Sequence, residues 1–340
     1  FNTPEEAWKS SYTESISPPQ KILAKEQGEN LCTFIILDEK NGGCVISTTI
    51  KKYMYITSHP SFDKKQTVLK YSKTETVHNV DDIEHPIFRE CLKQEGLEGL
   101  EITSIADVPQ GTGLGSSSAF TVGLLKNLKC HKRIYATDEE IAQEACHMEI
   151  DVLKNPIGKQ DQYAAAYGGL NYYQFNKDGS VFVEPVLMSK ESYNQLEKNL
   201  IMLYVGGEHS ASSILKEQSK NMVNAKEKEE GQKKIVELTH KLKYELEHDN
   251  IDAVGEILHE NWLIKKTLAS GISNPKFDEW YDKALANGAV GGKILGAGGS
   301  GFFLFYVPEE RQEKFRKAMK ELPEMEFKFD HQGTTVVFVN

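Results

Sequence analysis

Between residues 43 and 57 the chain reads Gly-Cys-Val-Ile-Ser-Thr-Thr-Ile-Lys-Lys-Tyr-Met-Tyr-Ile-Thr. Its β-branched and aromatic residues alternate in part, which predicts one strand or two. Residues 68–71 and 101–105 have the same character, and 86–94 follows a helical pattern after a proline. A further helix is expected over 120–128. Thr137-Asp138-Glu139-Glu140 carries a capping pattern that opens another, running to about residue 153. The break Asn155-Pro156 leads into a small-residue helix that ends at Gly168-Gly169. Segments 170–175 and 181–186 then form a hairpin around Asn176-Lys177-Asp178-Gly179. A second block begins near residue 199 with a buried-type strand over 200–205. Long helices are expected within 210–247 and 251–270, and a shorter one over 277–286. A strand at 302–307, a helix at 311–322 and a last strand at 334–339 complete the pattern. The Lys/Glu run at 226–234 reads as a solvated helix face or a mobile turn. Strands and helices mix without strict βαβ repetition, so the fold class is α+β.

At 340 residues the chain is long enough for two domains, expected over 1–198 and 199–340. A net charge of −10 argues against nucleic-acid backbones and anionic membrane surfaces as partners. Cys32, Cys44, Cys91, Cys130 and Cys146 are odd in number and contain no Cys-x-x-Cys. A disulfide framework and a zinc site are both disfavoured, and a reducing, cytoplasmic setting is expected. No apolar run reaches membrane-spanning length, and the polar, acidic Phe1-Asn2-Thr3-Pro4-Glu5-Glu6 does not read as a signal peptide.

The chemistry concentrates in Pro109-Gln110-Gly111-Thr112-Gly113-Leu114-Gly115-Ser116-Ser117-Ser118-Ala119. Glycines let backbone N–H groups approach an anion, and the start of the following helix adds about half a positive charge. The run is not a Walker A loop, because no lysine follows its last glycine. It is not a Rossmann fingerprint either, because the third glycine is misplaced. Its serines can cap N–H groups, bond phosphate oxygens or ligate Mg2+; the bland alternative is a Gly/Ser turn with a serine cap. A second candidate is Asp161 in Gly158-Lys159-Gln160-Asp161-Gln162-Tyr163, either a helix cap or a general base on a substrate hydroxyl. A third is the stretch 291–301, with six glycines in eleven residues before an apolar strand. It is either a flexible loop or a backbone forced close to something else.

Taken together, these blocks resemble the GHMP small-molecule kinases (galactokinase, homoserine kinase, mevalonate kinase and relatives). Pro109 to Ala119 is similar to that family's Pro-x-x-x-Gly-Leu-Gly-Ser-Ser-Ala motif. Lys293 to Gly301 is similar to its Lys-x-x-Gly-Ala-Gly-Gly-Gly-Gly motif. The Gly-Lys-Gln-Asp-Gln-Tyr segment, the following Ala-Ala-Ala-Tyr-Gly-Gly, Tyr71 to Glu75 and Ile83 to Pro86 resemble the sugar-1-kinase branch, which includes D-glycero-D-manno-heptose 7-phosphate kinases. The likeness runs from about Gly42 to the C-terminus. It implies a ribosomal S5 domain 2-like N-terminal domain and a ferredoxin-like C-terminal domain. It further implies ATP and Mg2+, transfer to the anomeric hydroxyl of a sugar or sugar phosphate (a heptose 7-phosphate giving the 1,7-bisphosphate), and compatibility with a homodimer. Gly111, Gly113, Leu114, Gly115, Ser116, Ser117 and Ser118 would cradle the triphosphate. Ser117 and Glu149 would hold Mg2+, and Asp161 would be the base. Gly296, Gly298 and Gly299 would pack against the phosphate loop and shape the sugar pocket.

The likeness weakens before Gly42. Where the branch reads Pro-Leu-Arg-Ile-Ser-Phe-Ala-Gly-Gly-Gly-Thr-Asp, this chain has Pro19 to Asn30: Lys21 stands for Arg, Gly28 alone for the triple glycine and Asn30 for Asp. Glu26 and Glu29 bring negative charge to this segment, and His209 stands where relatives often carry Arg, which loses a bidentate phosphate fork. Two alternatives to a heptose phosphate kinase therefore stay open: a kinase for another sugar or small alcohol, and a non-catalytic nucleotide- and sugar-binding sensor. His85 and His147 are read as structural, and Tyr163, Tyr167, Tyr172 and Tyr173 as core or pocket wall. Lys159 either meets a substrate phosphate or pairs with a carboxylate.

Overall fold

In a computed structural model of the chain, residues 22–27, 30–32, 42–206, 226–269 and 271–339 are described. The β-branched run of the sequence folds as two strands, with the polar pair Lys51-Lys52 between them. In chain order the elements of the first block are β1 (Ile22–Gln27), β2 (Asn30–Cys32), β3 (Gly43–Ile50), β4 (Tyr53–Pro60), β5 (Thr67–Lys70), β6 (Thr74–Val77), α1 (Pro86–Glu95), β7 (Leu100–Ala106), α2 (Ser116–His131), α3 (Asp138–Cys146), α4 (Gln160–Tyr167), β8 (Leu170–Phe175), β9 (Val181–Pro185) and α5 (Lys190–Asn199). The second block contains β10 (Leu200–Gly206), α6 (Lys226–Glu247), α7 (Ala253–Lys265), α8 (Pro275–Ala286), β11 (Gly291–Ile294), β12 (Gly301–Tyr306), α9 (Gln312–Ala318), β13 (Phe329–Asp330) and β14 (Thr335–Val339). Residues 207–225, His209 among them, lie outside the described residues, as do residues 19–21, Gly28 and Glu29 of the departing segment.

Among the described residues, the first sheet runs β14-β1-β4-β7-β5-β6 and the second β13-β3-β8-β9, with β2 also on β3. Helix α2 packs on β1 and β4, and α4 packs on β3, while α2, α3 and α4 touch one another. The helices thus lie between two sheets. That placement explains why α2 is buried almost all round, from Ala119 through Leu128. Its one buried amide in this stretch, Asn127, donates to the Ile56 carbonyl at 3.2 Å. A third sheet, β10-β12-β11, is antiparallel and made wholly of second-block residues, with α7 against β11 and β12. The last strand returns to the first block: β14 is hydrogen-bonded to β1, pairing Ile22 with Val339. Sheet membership therefore ties the C-terminal strand to the N-terminal portion, across the expected division at 198/199. No described helix is long and apolar enough to cross a membrane.

Three local outcomes differ from the sequence expectation. Helix α2 begins at Ser116, not residue 120, so the serines themselves form its first turn. The helix opened by Thr137 keeps its capping box with Glu140 but is α-helical only to Cys146; His147–Val152 continues as a π-helical turn. The start of the glycine-rich stretch is strand β11. A Cβ on Gly291 would sit 2.0 Å from the Gly255 carbonyl oxygen, and one on Gly292 would sit 2.5 Å from the Leu304 oxygen. These glycines mark close backbone approach within a sheet and a helix–sheet contact, where sequence alone reads a loop.

Candidate active site

The phosphate-loop candidate links β7 to α2. Gly111, Gly113 and Gly115 have φ of 80°, 80° and 82°, while Thr112 and Leu114 between them stay at negative φ. Alternation of negative and positive φ turns successive N–H groups toward one concave side, the backbone arrangement that binds anions. Leu114 is fully buried and anchors the loop from below. Gly115 is the N-cap of α2 and makes no side-chain cap bond, and the serine turn places its N–H groups at the positive end of a 16-residue helix. A Cβ on Gly111 would meet nothing within 4 Å, so the loop is open on that side.

Opposite the helix start stands Glu149, in the π-helical turn and only 1% exposed. Ser117 Oγ donates to Glu149 Oε2 at 3.3 Å, and Gln162 Nε2 donates to Oε1 at 2.9 Å. Burial pushes the Glu149 carboxyl above its ordinary range. Hydrogen bonds from Gln162 and Ser118 pull it back, and the charge of nearby Asp161 pushes it up again. Asp161 itself lies in the first turn of α4, half-buried, and accepts from Gln160 Nε2 at 3.0 Å. Three segments distant in sequence (the serine turn, the π-turn and the start of α4) therefore converge. Gln162, missed by sequence reading, is the fully buried link between the last two; its only signal was its place beside Asp161.

The donor set fits a hard divalent cation. Among the described residues no Lys, Arg or His pairs with Glu149, which leaves a buried carboxylate surrounded by hydroxyl and amide groups. No cluster of three acidic, His or Cys groups is found among them either. One carboxylate and hydroxyls, with the rest supplied by water and phosphate oxygens, is how Mg2+ is commonly held in phosphoryl-transfer sites.

The glycine-rich segment after β11 closes the loop from the other side. A Cβ on Gly296 would lie 2.7 Å from Gly113 Cα, and one on Gly301 would lie 2.0 Å from the Thr112 oxygen. Gly298 packs on Ile272, and the Gly299 N–H donates to the Ile272 carbonyl at 3.1 Å. Gly296 and Gly301 are the glycines seen wedged against the Gly111–Gly115 turn. Lys159 Nζ donates to the Gly179 carbonyl at 2.7 Å, in the β8–β9 turn. The bland readings hold elsewhere. His85 caps α1 and sits among the rings of Tyr71, Phe88 and Phe120, while Tyr163 and Tyr167 both donate to Glu139.

The description "GHMP kinases N terminal domain" matches residues 82–169, which contain the Gly111–Ser118 turn, Glu149 and Asp161, and "GHMP kinases C terminal" matches 242–324. Together they span half of the chain. The chain belongs to the GHMP kinase family. Members of that family use ATP as the phosphate donor, and this chain is an ATP-dependent kinase. It is 28% identical over 295 residues to D-glycero-alpha-D-manno-heptose 7-phosphate kinase of Campylobacter jejuni, covering 83% of this chain and 87% of that one. Mevalonate kinase of Pyrococcus abyssi is 25% identical over 81% of this chain and 76% of its own length. In fold, the kinase is similar to the crystal structure of a D-glycero-D-manno-heptose 1-phosphate kinase from Bacteroides thetaiotaomicron. The TM-score is 0.75 at 23% identity, covering 94% of this chain and 99% of that one.

Proposed function

We propose that this kinase transfers the γ-phosphoryl group of ATP to the anomeric hydroxyl of a sugar phosphate, D-glycero-D-manno-heptose 7-phosphate, giving the 1,7-bisphosphate and ADP. The observation that carries the reading is the buried Glu149 carboxylate, which accepts from Ser117 of the turn that opens α2 and from Gln162, the neighbour of Asp161. In-line phosphoryl transfer through a loose transition state needs positioning and charge neutralisation more than covalent chemistry. The N–H groups from Gly111 to Ser118 hold the phosphates. Asp161 accepts the proton of the attacking hydroxyl as its oxygen bonds to the γ-phosphorus and the bond to ADP breaks. Glu149 and Ser117 hold Mg2+, which when bound neutralises charge on the transferring phosphates. The choice of sugar rests on the 28% identity to the Campylobacter kinase and on the sugar-1-kinase character of the segments around Tyr71, His85 and Asp161.

The test is a coupled ADP-release assay over a panel of free and phosphorylated sugars and small alcohols, mevalonate included. Turnover highest with the heptose 7-phosphate is the expected result. ATP binding without turnover on any acceptor would favour a sensor, and preference for another acceptor would move the assignment to it. Asp161→Asn should lower turnover by about 10²–10⁴-fold with ATP affinity little changed; near-native turnover in that variant would remove Asp161 from the role of base.

A further inference from the structure

Lys265, the last residue of α7, is a lysine at a core position. The buried residues of α7 recur at helical spacing through Ile257, Leu258, Asn261, Trp262 and Lys265, and Lys265 is only 4% exposed. A lysine in such a stripe ordinarily carries its ammonium out to water. Here Nζ instead donates to the Gly296 carbonyl at 2.6 Å and approaches the Ile294 carbonyl at 3.5 Å.

The reach follows from how α7 and β11 start together. Gly291 of β11 lies against the backbone of Gly255 and His259 in α7. From Gly255 to Lys265 the helix advances about 15 Å, and from Gly291 to Gly296 an extended chain advances about 16 Å. The two elements run alongside each other and finish level, so Lys265 meets the peptide that follows β11. Gly296 is also the residue whose Cα face lies against Gly113 of the phosphate loop. The peptide plane is rigid, so turning the Gly296 oxygen toward Lys265 points the Ala297 N–H the opposite way.

We propose that Lys265 is a positioning residue for nucleotide binding: its ammonium fixes the Gly296–Ala297 peptide, and through Gly296 the backbone of the phosphate loop. Its partner is the triphosphate end of ATP, which it influences without contact. The inference rests on the reading of Gly111 to Ser118 as the phosphate cradle.

The experiment compares wild-type kinase with Lys265→Met and Lys265→Arg. It measures Kd for a non-hydrolysable ATP analogue by calorimetry, KM for ATP and for the acceptor, and the melting temperature. Loss of a hydrogen bond from a charged donor predicts a rise of about 10- to 100-fold in Kd and KM for the nucleotide. KM for the acceptor should stay within about twofold, and Lys265→Arg, which keeps a charged donor, should restore nucleotide affinity to within a few-fold. A merely structural role would lower the active fraction, hence kcat, and leave both KM values alone. A folded Lys265→Met protein with unchanged nucleotide Kd overturns the inference while leaving the cradle intact. Absence of analogue binding by the wild type would instead overturn the cradle. Should Lys265→Met fail to fold, Lys265→Gln takes its place, and failure of both to fold assigns Lys265 to core stability and overturns the positioning role.

Discussion

Substituting Gly296 by alanine tests whether the glycine-rich segment is a wedge on the phosphate loop. Gly296 has φ +63°, a backbone region that costs an L-residue about 1–2 kcal/mol. Its added Cβ would lie 2.7 Å from Gly113 Cα and 2.8 Å from the Gly113 oxygen, both backbone atoms that no side-chain rotation can clear. Overpacking of this kind costs about 1–3 kcal/mol. The molecule contains its own control: Gly96, the C-cap of α1, has the same φ of 63° and nothing within 4 Å of its would-be Cβ. Gly96→Ala therefore carries the conformational strain without the collision. The difference between the variants, about 1–3 kcal/mol, falls on Gly113. If expressed in nucleotide binding it raises KM for ATP about 5- to 100-fold. Initial rates with ATP varied at saturating acceptor, and melting curves for both variants, supply the numbers. Should Gly296→Ala keep the ATP KM of the wild type while losing no more thermal stability than Gly96→Ala, the wedge does not shape the phosphate loop and the argument from close approach is wrong.

Two further outcomes follow from the site and from the sheet beside it. Glu149→Gln keeps the shape and the buried hydrogen-bonding position but removes the charge; the Mg2+ concentration for half-maximal rate at fixed ATP should rise at least about tenfold, as for loss of one of few protein ligands. An unchanged Mg2+ titration would exclude Glu149 as a ligand. Glu75 is buried, which by itself raises its carboxyl, but hydrogen bonds from the Tyr71 hydroxyl and from the Glu84 and His85 N–H groups outweigh burial and hold it below its ordinary value of 4.5. A carboxylate lowered by folding stabilises fully above 4.5, and that contribution is lost as pH falls from 4.5 toward the folded value. The melting temperature should therefore drop on acidification below about pH 4.5, and Glu75→Gln should flatten that drop; parallel curves for the two proteins would count against it.

Local rules made much of this kinase legible. Proline-led helices, the Thr137/Glu140 capping box, the 170–185 hairpin and the strands at 43–57 depend on neighbours a few residues apart, so the sequence carries them directly. The Gly/Ser turn was legible for the same reason: left-handed φ at Gly111, Gly113 and Gly115, with a close backbone approach at Gly113, favours glycine. Helix α5 was missed because only Tyr193 and Leu196 mark its apolar face, although Ser189 caps it. Strand β11 was missed because glycines that serve packing look the same in sequence as glycines that serve a turn.

Local pattern specified the set of parts: a Gly/Ser turn at a helix start, two carboxylates and a second glycine-rich segment. Only the tertiary structure decided which of them meet. The contact of Gln162 with Glu149 spans 13 residues, that of Ser117 with Glu149 spans 32, and that of Lys265 with Gly296 spans 31. Sequence spacing holds no information about distance once helices and strands fold back on one another. Lys265 shows the physical reason most plainly: helical spacing puts it on the apolar side of α7, but only the lie of α7 on β11 brings its ammonium to the Gly296 carbonyl.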